Sequence, residues 1–89
     1  MDFMVILGQS LSEILNKPLY HCVGLIRLSI KDSGRNPDSE LTYQEYKEII
    51  QVNLLERLQS LYVRNPEEVT STLLKILNDK QSLFTMSIH

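Results

Sequence analysis

The 89-residue chain holds one cysteine, three glycines, three prolines, no tryptophan and no large excess of either charge sign. A single thiol, Cys22, rules out an internal disulfide framework and fits a reducing compartment. The glycines stand alone at positions 8, 24 and 34, so there is no glycine-rich loop to cradle a phosphate. The longest unbroken apolar run, Phe3 to Leu7, falls far short of the ~20 residues that span a bilayer. Asp2 precedes it, where a secretory leader would carry a basic segment. The net charge is −2, and Lys17, Arg27, Lys31 and Arg35 are offset by Asp2, Glu13, Asp32 and Asp38. Nucleic-acid binders gain most of their affinity from a basic face that neutralises phosphates, and no such face is visible. These absences point to a soluble cytoplasmic protein with no nucleic-acid or membrane partner.

What is present suits a small globular domain. Hydrophobic residues make up 43% and charged residues 22%, which argues against disorder. The length gives one domain, residues 1–89. A chain this short buries only about 60–65% of its unfolded surface, so a surplus of large aliphatics makes self-association the expectation.

The pattern along the chain predicts an α+β fold. A strand over 2–7, a turn at Gly8 and a short helix over 10–17 accommodate the β-branched Val5 and Ile6. Ser10 and Glu13 form a capping box for that helix, and Pro18 ends it. Gly24, Ile26, Leu28 and Ile30 alternate with Leu25, Arg27, Ser29 and Lys31, a period of two that predicts a strand over 20–31. From Leu41 to Tyr62 the period changes. Tyr46, Ile49, Ile50, Leu54, Leu58 and Leu61 fall on one helical stripe, with Val52 and Leu55 off it. Asn65, Pro66, Glu67 and Glu68 open a further helix whose inner face is Val69, Leu73, Ile76 and Leu77. Phe84, Met86 and Ile88 alternate again and predict a terminal strand over 82–88. The result is a sheet of about three strands with two or three helices on one face. The competing arrangement turns 2–16 and 19–31 into helices and makes an all-helical four-helix bundle.

Residues 31–45, KDSGRNPDSELTYQE, raise the one specific question of chemistry. With Glu45 as the twelfth position of an EF-hand calcium loop, Asn36 is the third, Asp38 the fifth, Leu41 the eighth and Thr42 the ninth. The first position then falls on Gly34, which has no ligand, and the sixth on Ser39, where the turn needs glycine. Pro37 interrupts the set, and no second EF-hand is present to pair with it. A capping box from Thr42 to Glu45, after ordinary turn formers, accounts for the same residues. Asn36, Asp38, Glu40 and Glu45 therefore remain the candidate cation ligands of a structural loop.

His21 and Cys22 are adjacent, and strand neighbours point to opposite faces, so they do not form a nucleophile and base. One cysteine and two distant histidines do not make a zinc site, and no cofactor is expected. An enzyme would need residues from two chains, with His21 the first group to consider. The favoured function is a non-enzymatic protein-interaction or assembly module, a homo-oligomer or a small subunit of a complex. The alternative is a small-ligand or cation-binding domain using the 32–45 loop. Candidate interface residues are Ile26 and Leu28 on the strand edge, Phe84 and Met86 on the terminal strand, and Val52 and Leu55 off the helical stripe. Tyr43 and Tyr62 join them at the helix ends, where a rigid ring with a hydroxyl suits an interface.

Overall fold

A computed structural model describes the backbone of residues 3–86 and the side-chain surroundings of residues 3–80. It overturns the α+β expectation: every regular element among the described residues is a helix, and there is no strand or sheet among them. Helix α1 spans Phe3–Leu15 and α2 spans Leu19–Asp32. A third rod begins as α3, Tyr43–Glu48, widens to a π-helical segment over Ile49–Leu54, and ends as α4, Leu55–Ser60. Helix α5 spans Pro66–Met86. The all-helical arrangement weighed as the competitor is the one observed.

The two helices that replace the expected strands over 2–7 and 20–31 each have a physical cause. In α2 the buried residues are Cys22, Leu25, Ile26, Ser29 and Ile30, a spacing of three and four that lays one face on the core. The small thiol and the hydroxyl hide that stripe, while Ile26 and Ile30 fit a period of two equally well. Ser29 is tolerated inside because its hydroxyl donates to the Leu25 carbonyl at 2.8 Å. In α1 Gly8 is buried against Val23, so it marks close helix approach and not a turn. The strand expected over 82–88 is replaced by helix as far as Met86, and the rest of that segment lies outside the described residues.

Each of the four rods packs against two neighbours, closing a ring from α1 to α2, to the third rod, to α5 and back to α1. The ring encloses one core. Leu11, Ile30, Leu58 and Leu73 are completely buried, with Leu7, Ile49, Ile50, Leu54 and Leu77 scarcely less so. Phe3 and Tyr46 meet ring to ring at 6.2 Å, which ties α1 to α3. Of the residues assigned to the two helical stripes, Leu61 alone among those described is left largely outside, at 52% exposure.

Three helix ends are closed by left-handed residues. Gly34 (φ 83) ends α2: its N–H donates to the Lys31 carbonyl, and the Arg35 N–H to that of Ile30. This pair of bonds satisfies carbonyls that the helix cannot, and glycine adopts the required backbone without a Cβ penalty. Asn16 (φ 55) ends α1, with Lys17 donating back to Ser12. Tyr62 (φ 58) ends α4 by the same two bonds, from Tyr62 to Gln59 and from Val63 to Leu58.

Candidate functional site

The 33–42 loop connects α2 to α3, and three of the four candidate ligands, Asn36, Asp38 and Glu45, are already engaged by partners within the chain. Asn36 Oδ1 accepts the Asp38 N–H at 2.9 Å, and Ser39 bonds back to the Asn36 carbonyl, forming a tight turn around a buried Pro37. Asp38 pairs with Arg27 at 2.9 Å. Glu45 completes the capping box with Thr42: its Oε1 accepts the Thr42 N–H at 2.9 Å, while Thr42 Oγ1 accepts the Glu45 N–H at 3.1 Å. Arg35 then bridges Glu45 at 3.1 Å and Glu48 at 3.0 Å. The Thr42 backbone bond, and after it the Thr42 hydroxyl and Arg35, hold the Glu45 carboxyl below its ordinary value against a smaller opposing effect of burial. Glu40 is exposed. No group of three or more His, Cys, Asp or Glu among the described residues could hold a metal ion. Arg27 and Arg35 already pair with the Asp38 and Glu45 carboxylates.

Cys22 is fully buried and burial pushes its thiol up, partly offset by the charge of Lys17. His21 beside it is exposed. No nucleophile and base are brought together there.

The residues named as an interface divide. Ile26 lies in the core at 2% exposure. Tyr43 packs on the core margin and donates to Asn78 Oδ1 at 3.3 Å, and Leu55 is half-buried. Leu28, Val52 and Tyr62 are exposed, at 41%, 52% and 94%. Phe84 and Met86 lie on α5, where side-chain surroundings are not described. Among the described residues there is no strand edge to carry the expected contacts of Ile26, Leu28, Phe84 or Met86.

What the structure does bring together lies at the end of the molecule where the α1–α2 and α4–α5 turns meet. A cleft of about 560 Å3 opens there, with Ile14 and Leu15 on one wall, Leu61, Tyr62 and Val63 on the other, and Val69 and Thr72 of α5 below. Lys17, Arg64, Asn65 and Glu68 complete the lining. Ile14 and Leu61 remain 38% and 52% exposed. Asn65 (φ 51) is a second left-handed residue in the same turn, and its carbonyl accepts the Val69 N–H at 3.2 Å. The sequence carried one signal of this site that the periodicity did not reveal. The stretch SLYVRNP ends one helix and begins another with no glycine. Without a glycine, any left-handed position in that join falls to Asn65 or to a bulkier residue, and both Asn65 and Tyr62 take it.

A second cleft, of about 710 Å3, lies between the start of α1 and the 37–42 loop. Phe3, Met4, Leu41 and Tyr46 line it, but all four are buried, and the Arg27–Asp38 pair lies across it. It offers no exposed apolar side chain to a partner among those residues. No helix among the described residues is long and apolar enough to cross a membrane. The chain matches no family model, no curated protein and no solved structure.

Proposed function

We propose that the chain is a non-enzymatic protein-interaction or assembly module, working as a homo-oligomer or as a small subunit of a complex, and that it makes contact through the turn end. The observation that carries this reading is Tyr62. Its ring is 94% exposed while its backbone holds φ 58. A bulky residue in that conformation costs about 1–2 kcal/mol, and glycine would cost nothing. A large exposed aromatic kept at a position that disfavours it is better explained by contact than by folding. Leu61 and Ile14 extend the apolar surface around it, and the cleft beside them gives a partner side chain somewhere to go. A cytoplasmic setting suits this reading, because the sequence's one cysteine is free and builds no internal disulfide framework, as is usual in a reducing compartment.

Replacing Tyr62 by glycine separates the two roles. Tyr62→Gly should raise the stability of the isolated domain by up to about 1 kcal/mol in urea unfolding, through relief of the left-handed strain. The same variant should lose self-association in sedimentation, or lose partners recovered from cells by the wild type. A variant that associates as well as the wild type would remove the turn end from the reading. A strictly monomeric wild type at high micromolar concentration that also recovers no partner would remove the module itself.

A further inference from the structure

We infer that the occupant of the turn-end face is a second copy of this chain, docked about a two-fold axis that sets Arg64 of each copy against Glu68 of the other. The inference rests on the interaction-module reading and names its partner. Three of the four arginines are spoken for within the domain: Arg27 with Asp38, Arg35 with Glu45 and Glu48, and Arg57 with Asp32. Arg64 is the exception, with no ion pair among the described residues. Glu68, four positions on and lining the same cleft, has none either, although both are exposed at its mouth.

That arrangement selects the partner. A rim of one sign would call for a foreign surface of the opposite sign. The charged lining carries both signs, Lys17 and Arg64 as cations and Glu68 as the anion. Within it the Arg64–Glu68 pair is complementary to itself when rotated by half a turn about its midpoint, which is the requirement of an isologous contact. The apolar groups around the pair, Ile14, Leu61 and Tyr62, then face their own copies' cleft walls, so each ring gains a cover that its own chain does not supply. Tyrosine and arginine together at the centre of such a patch are the residue types that dominate contact energy elsewhere.

The test is a charge exchange read by sedimentation equilibrium on the full chain, with circular dichroism confirming the fold of each variant. Arg64→Glu and Glu68→Arg should each weaken self-association by about tenfold or more, since the two-fold repeats every like-charge contact. The double variant R64E/E68R restores the pairing in reverse and should recover wild-type association to within about threefold. An equimolar mixture of R64E and E68R should form heterodimers where neither variant alone dimerises. Lys75→Glu, an exposed change on α5 outside this cleft, should leave association unchanged. A dimer unaffected by either single reversal lies on another face and overturns the inference while leaving the module reading intact. Loss on single reversal without rescue in the double variant also overturns it, as does a wild type that is monomeric while a foreign partner binds.

Discussion

Gly8 and Val23 hold α1 and α2 in direct contact: a Cβ added to Gly8 would stand 2.5 Å from Val23 Cγ2. Valine in a helix has one strongly preferred rotamer, so the methyl cannot simply swing away. Two effects compete when Gly8 becomes alanine. Helix propensity improves by about 1 kcal/mol, while overlap in a packed contact costs about 1–3 kcal/mol. The overlap should win, so Gly8→Ala lowers the urea midpoint. Adding Val23→Ala removes the obstructing methyls, and the double variant should be less destabilised than the sum of the singles. Strict additivity would mean that the two residues are not in contact.

Gly24 is the opposite case on the partner helix. A Cβ there meets nothing within 4 Å, and the backbone is already helical. Gly24→Ala should therefore stabilise by about 0.5–1 kcal/mol, chiefly by narrowing the unfolded ensemble. In a domain of this size that raises the melting temperature by roughly 2–8 °C. A fall in the melting temperature would place something against Gly24.

Glu45 gives the fold a pH dependence of definite sign. Its carboxyl is held below the ordinary value by the Thr42 backbone N–H first, then by the Thr42 hydroxyl and Arg35. A group depressed in the folded state contributes stability that is present above its unfolded value and lost as pH falls through the folded one. Wild-type stability should therefore decline from roughly pH 5 downward. Glu45→Gln should begin lower at neutral pH and converge on the wild type as the pH falls through the depressed folded value, as read from urea midpoints along the series. Parallel curves at all pH values would deny the cap this role.

Cys22 serves as a reporter of global opening. It is fully buried and its thiol is pushed up by that burial. Only the thiolate reacts readily, so alkylation should follow unfolding and not the chemistry of a free thiol. Labelling followed by mass shift should be slow in buffer and accelerate with urea along the unfolding transition. Native labelling at the rate of a small-molecule thiol would contradict the burial.

The legible parts of the fold were those with local causes. The Thr42–Glu45 box, the Pro18 break and the Pro66–Glu68 helix start rest on interactions within a few residues, and each lies where the sequence set it. The stripe of Tyr46, Ile49, Ile50, Leu54 and Leu58 is long enough to establish its period, and all five are buried. The α1–α2 hairpin was misread because its evidence was not local. Whether Gly8 breaks a helix or admits a neighbour depends on Val23, fifteen positions away. Whether Ile26 and Ile30 belong to a period of two or of 3.6 depends on counting Cys22 and Ser29 as core. The turn-end cleft was illegible for a related reason: Ile14 and Leu61 both fit inward-facing stripes, and only the packed arrangement leaves them outside. Tyr62 stands out in the sequence for its ring, and the glycine-free join SLYVRNP is the one sign there of its strained backbone.

The π-helical segment gives the third rod an unusual tolerance. In an α-helix, gaining or losing one residue turns everything beyond it by about 100° and tears the inner face from the core. Between Ile49 and Leu54 each turn closes over one residue more than an α-turn does, and Val52, in the middle, is half outside. The rod thus carries a residue of slack. At Val52 the chain can be shortened by one and tighten to ordinary helical pitch, with Tyr46 upstream and Leu58 downstream still turned inward. In the α-helical turns on either side, the same deletion has no extra residue to absorb it and turns part of the inner face from the core.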